Sequence, residues 1–228
     1  MNMVDTLKDS YFSEILPNGW DIAKIRECTS NPPETVCDRQ AFWHEGFSPV
    51  ICETIDEFEV FMGHEIAMQI RQAKEEGRKL ILILPVGPMG MYKWTVFFLK
   101  QWKIDCKHVY GFNMDEWSDA EGNTLPASDP AAFQNAMINA FYGPLGEMGV
   151  PEEQRNFATK ENLPTYMEKI AKLRAEGAKQ VLVYGIGRMC HIAFWEPHFA
   201  DEYETEEAWL AEPCRIGARL HPFTIEQN

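Results

Sequence analysis

Basic side chains are in short supply in this 228-residue chain: 21 Lys and Arg stand against 35 Asp and Glu, a formal charge of −14. No local basic patch offsets that balance. A surface so acidic repels nucleic-acid backbones and anionic lipid, so neither is an expected partner. Long apolar runs are also missing; none approaches the roughly 18 residues needed to span a bilayer. No basic stretch leads into an apolar one at the start, where Met1 to Ser10 already carries three charged side chains. The six cysteines (Cys28, Cys37, Cys52, Cys106, Cys190, Cys214) include no C-x-x-C pair, so zinc-ribbon and thioredoxin-like readings lack their spacing. Each reads as a small buried hydrophobe, reduced in a soluble cytoplasmic protein. His44, His64, His108, His198 and His221 share no ligand spacing, so no metal site is expected.

What is present is enough for one sizeable core, at 45% hydrophobic and 12% aromatic residues, so extended disorder is not expected. Residues 1–47 differ from the rest. Turn formers at Asn18-Gly19, Ser30-Asn31-Pro32-Pro33 and Cys37-Asp38 predict short helices and loops laid over a larger domain, with Trp20 and Trp43 as packing anchors. Residues 48–228 form that domain. Pro49 to Cys52 reads as a strand, and Thr54 can cap a helix from about Ile55 to Glu76. Leu80 to Leu84 is an unbroken apolar run, as in a strand covered on both faces. The alternation continues with a helix over about Met91–Trp102 and a strand over His108–Phe112. A helix over Pro130–Phe141 follows, with Asp129 as its cap and Pro130 in the first turn. Leu163–Glu176 reads as a helix and Gln180–Tyr184 as another buried strand. Alternating strands and helices predict an α/β fold: three layers, a mainly parallel Rossmann-like sheet flanked by helices.

In such sheets ligands bind beyond the carboxyl ends of the strands. Three segments lie there. Pro85-Val86-Gly87-Pro88-Met89-Gly90 offers backbone N–H groups to an anion, although a tight turn explains it equally. Asn113-Met114-Asp115-Glu116-Trp117 places two carboxylates at a strand end, suited to a general base or to capping a turn. Gly185-Ile186-Gly187-Arg188-Met189-Cys190-His191 continues to Glu196-Pro197. Its histidine and glutamate, five positions apart, suit a proton-transfer pair. The acidic run Asp201 to Glu207 reads as a solvated helix face.

The order of these pieces, from F-N-M-D-E at Phe112–Glu116 to H-I-A-F-x-E-P at His191–Pro197, resembles the glucosamine-6-phosphate deaminase family. The resemblance runs from about Pro49 to the C-terminus and includes Leu125-Pro126 and Asp129-Pro130. It implies catalysis without a metal or redox cofactor. Asp115 would move a proton from carbon 2 of the open-chain amino sugar to carbon 1, and ammonia would leave after ketimine hydrolysis. His191 would open the sugar ring, with Glu196 orienting and polarising it. Val86, Gly87, Glu116, Gly187 and Arg188 fall at substrate-binding positions.

Three departures accompany the resemblance. Met189 stands where the family carries an aspartate before the histidine, and a thioether cannot hold an imidazolium. The Pro85 loop is about two residues shorter than the family's and lacks hydroxyls, which leaves Arg188 either as a countercharge for phosphate or as a solvated loop residue. Arg215 to Asn228 corresponds to the middle of the family domain, which predicts exposed sheet edges and self-association. The readings carried forward are therefore a deaminase-like enzyme, an isomerase or lactonase on another sugar, and a catalytically silent sugar-phosphate binder.

Overall fold

The computed structural model describes residues 5, 20–187, 189–212 and 219–227. Two short turns of helix come first, α1 (Ile22–Cys28) and a 3-10 turn at Pro33–Cys37. Helix α2 (Ile55–Glu75) begins where Thr54 accepts a hydrogen bond from Glu57 N. It leads into strand β1 (Leu80–Leu84), helix α3 (Gly90–Trp102) and strand β2 (Val109–Asn113). Helix α4 (Phe133–Met137) continues into a π-helical turn at Ile138–Tyr142. Strand β3 (Arg155–Asn156), helix α5 (Leu163–Ala175), strand β4 (Lys179–Leu182), helix α6 (Glu206–Ala211) and helix α7 (Pro222–Gln227) complete the order.

The four strands form one parallel sheet in the order β3-β2-β1-β4. Side chains alternate across a strand, and here each face has its own cover. Leu80, Leu82 and Leu84 join Ile66 and Ile70 of α2 and Met91, Tyr92 and Leu99 of α3 in the larger core. Ile81, Ile83 and Phe112 meet Tyr166, Ile170 and Leu173 of α5 on the other side. Burial on both faces explains why Leu80–Leu84 has no polar alternation. Helices α2 and α3 can approach closely because position 63 is glycine. A Cβ there would lie 2.4 Å from Trp94 Cβ and 2.6 Å from Met91 O.

Three expectations about elements are corrected. Pro49–Cys52 forms no strand; Val50 and Ile51 are 59% and 68% exposed, with no neighbouring strand to order them. A four-residue apolar run is too short for periodicity to assign. Strand β4 is not buried on both faces. It is an edge strand, and Leu182 and Tyr184 are 48% and 51% exposed. The helix expected from Pro130 starts three residues later, at Phe133. Asp129 Oδ1 instead accepts from Ala131 N at 2.9 Å, which holds a turn. Among the described residues, no helix is long and apolar enough to cross a membrane.

Candidate active site

Chain order reverses about β1: β2 follows it on one side, and β4 returns on the other. At such a switch point the loops leaving the strand ends diverge and open a crevice. Here they enclose a cleft of about 330 Å³, lined by Pro85–Pro88 after β1, Met114 and Asp115 after β2, and Gly185–Gly187 beyond β4. His191, Ala193 and Phe194 close it. Of the expected site residues, Val86, Gly87, Asp115, Gly187 and His191 therefore meet in one hollow. The first loop is tied down by Tyr92 of α3, whose hydroxyl donates to Pro85 O at 2.5 Å. Burial holds the Tyr92 hydroxyl well above its ordinary pKa, so it keeps the proton it donates.

Asp115 sits at the cleft floor with its side chain partly shielded from water. Loss of hydration, and then the adjacent Glu116 charge, push its carboxyl up from 3.8 to about 7. A carboxyl tuned near neutrality can both take and return a proton.

The segment around His191 is held in backbone conformations that side chains seldom adopt. Cys190, Ala193 and Phe194 have φ of 59°, 52° and 55°. Left-handed non-glycine residues cost on the order of 1 kcal/mol or more each, and they concentrate at functional sites. Gly187 N donates to His191 O at 3.0 Å and Cys190 N donates to Gly187 O at 2.8 Å, which closes the turn. The His191 residue is only 5% exposed. Its ring lies so close to Gly187 that a Cβ there would be 2.1 Å from Nε2.

Behind the ring stands a polar cluster that spacing along the chain does not reveal. His191 Nδ1 lies 3.2 Å from Thr224 Oγ1 and 3.7 Å from Glu196 Oε2. Glu196 is fully buried, and its Oε1 accepts from His221 N at 3.3 Å. His198 Nδ1 is 4.0 Å from Glu196 Oε2. His198 and His221 thus join the neighbourhood of the site despite sharing no ligand spacing. Thr224 carries no sequence signal at all. Among the described residues, no group of three His, Cys, Asp or Glu is arranged to hold a metal ion. Met189 is buried at 1% exposure, an apolar side chain beside this cluster in sequence.

Glu116 is expected at a substrate-binding position, but its carboxylate accepts from Trp117 N, Phe133 N and Gln134 N at 2.9, 2.8 and 2.8 Å. It satisfies the first N–H groups of α4 in place of a local cap. Arg188 lies outside the described residues. Beside the cleft, a second hollow of about 220 Å³ shares Asp115 and Phe194 and is lined also by Trp117 and Lys160. The Phe194 ring stands between the two, stacked at 20° on Phe133 and 5.8 Å from Trp117.

The Glu116→Gln variant is expected to lose about 1–3 kcal/mol of stability, because its amide cannot accept from all three N–H groups. With a neighbouring charge gone, the Asp115 pKa should also fall. Denaturant titration and a pH–rate profile measure the two effects separately. Unchanged stability would show that α4 does not depend on this carboxylate.

No family model matches the chain. Curated relatives named glucosamine-6-phosphate deaminase do. Those of Caenorhabditis elegans and Fusobacterium nucleatum are 30% and 32% identical over 150 and 147 residues. These alignments cover 65% and 61% of this chain and 54% and 50% of the relatives, so the chain spans about half their length. In fold, the chain matches a solved monomeric glucosamine-6-phosphate deaminase, described as a missing link of the NagB superfamily. That match has a TM-score of 0.52 at 19% identity, over 64% of this chain and 58% of that one. In sequence the chain is similar to these curated glucosamine-6-phosphate deaminases over about half their length, and in fold it is similar to the solved one.

Proposed function

We propose that the chain acts on an amino-sugar phosphate as a deaminase, by general acid–base aldose–ketose isomerisation. The observation that carries this reading is Asp115, with its carboxyl raised to about 7, facing His191 across one cleft. The name shared by the curated relatives supplies the substrate class.

The roles are those that the family resemblance implies, and the shared cleft supports them. His191 takes the proton of the anomeric hydroxyl and returns it to the ring oxygen as the bond between carbon 1 and that oxygen breaks, which opens the ring to the aldehyde. His191 Nδ1 lies 3.7 Å from Oε2 of the buried Glu196. Asp115 then removes the proton from carbon 2 while O1 gains a proton, giving an enolamine, and returns its proton to carbon 1 as the amine loses one. The product is a ketimine, which water hydrolyses to the ketose phosphate and ammonia. Proton transfer and water balance every step. Holding the base over the carbon acid supplies the remaining acceleration through proximity. Backbone groups of Val86, Gly87 and Gly187, with the Arg188 guanidinium as countercharge, are the proposed phosphate contacts.

The test is release of ammonia and ketose phosphate from glucosamine-6-phosphate by the folded chain. Turnover at millimolar substrate is the expected result. A folded sample without turnover would sink the reading. Met189 would then favour binding without chemistry, and a panel of other sugars and lactones would follow.

A further inference from the structure

We propose that Thr224 is a positioning residue for His191, fixing the imidazole tautomer that faces the cleft. The inference rests on His191 as the ring-opening group, but its key observable does not depend on turnover. A buried imidazole can work as a base only if the nitrogen facing substrate is the one without the proton, and a hydrogen bond to the other nitrogen decides this. Among the described residues, Glu196 and Thr224 lie near Nδ1. Glu196 Oε2, at 3.7 Å, is beyond hydrogen-bond reach. Thr224 Oγ1, at 3.2 Å, is within it. Thr224 is completely buried, so water does not compete for its hydroxyl.

The assignment is that Nδ1–H donates to Thr224 Oγ1. Nε2 then carries the lone pair, on the side of the ring that meets Gly187 and the cleft. The same stretch of chain that carries Thr224 supplies His221 N to Glu196 Oε1. Packing of α7 thus sets both the hydrogen bond on His191 and the orientation of the carboxylate near it. A hydroxyl is suited to this place: it can accept from Nδ1–H while turning its own proton away, and it brings no second charge into a buried site.

The experiment is a long-range ¹H–¹⁵N spectrum of the full chain, with kcat and KM measured on the same samples. In the wild type, His191 Nδ1 should be protonated and Nε2 bare. Thr224→Val, which keeps the shape and removes the hydroxyl, should mix the tautomers. It should lower kcat by roughly ten-fold with KM little changed, and Thr224→Ser should restore both. A wild-type spectrum with the proton on Nε2 overturns the proposal without any variant. So do His191 shifts that Thr224→Val leaves unmoved. If glucosamine-6-phosphate is not turned over, the proposed function fails, while the nitrogen shifts still decide the role of Thr224.

Discussion

Replacing Asp115 with asparagine is expected to lower kcat by about two to four orders of magnitude while the chain stays folded. The amide has nearly the shape of the carboxyl but cannot take the proton from carbon 2. The wild-type pH dependence should show the same group. Its carboxyl titrates near 7, so below that pH the base is protonated and kcat/KM should fall about ten-fold per unit. Above it the rate should level off until another group titrates. Asp115→Asn should lack this acid limb in whatever activity remains.

Stability should move the opposite way. Between 3.8, where an unfolded aspartate titrates, and about 7, the folded chain binds the proton more tightly than the unfolded one does. The folded state therefore loses stability as pH rises through that window. The loss at pH 8 is on the order of 1–4 kcal/mol, tempered by partial access of water to the side chain. Asparagine carries no such charge. The variant should be more stable than the wild type at pH 8 and nearly equal to it near pH 4, as read from denaturant midpoints. Retained turnover would remove Asp115 as the base, and equal stability at both pH values would show that its carboxyl is not perturbed.

Gly187→Ala is expected to cost roughly 100-fold in kcat, beyond what an overpacking loss of about 1–3 kcal/mol in stability explains. The new methyl would overlap His191 Nε2 at 2.1 Å. The ring has little room to retreat, since Thr224 and Glu196 stand behind Nδ1 and the residue is 5% exposed. A displacement of about 1 Å at a reacting group is enough for a loss of this size. The hydrogen bonds that close the turn, from Gly187 N to His191 O and from Cys190 N to Gly187 O, use backbone atoms that alanine keeps. Activity and stability should therefore separate. Near-wild-type kcat in Gly187→Ala would mean that the ring position against residue 187 is not the working one.

The two variants probe the loops that follow β2 and β4, and the sequence made both loops visible to different degrees. Runs such as Leu80–Leu84 and the spacing of α2 announce themselves because each element must bury a face, and burial imposes a period. Once the strands are placed, the loops after them are the sites to inspect, which brings Asp115, Gly187 and His191 forward from sequence alone. The start of α4 was illegible for a physical reason. Its first N–H groups are satisfied by Glu116, from 17 residues upstream, and not by a neighbour. The edge position of β4 was equally hidden, because an apolar strand reads the same with one partner or two.

The alternation of elements, their order, and the carboxylate and imidazole at the strand ends are legible in the residues alone. That Glu116 serves a helix, and that Asp115 is shielded enough for its carboxyl to be pushed up to about 7, comes from packing between distant segments. That packing also brings Thr224, 33 residues beyond His191, to the hydrogen bond behind its ring. Periodicity records which face of an element is buried. It says nothing of which distant side chain arrives in the buried space, and there the loss of water makes each polar neighbour decisive.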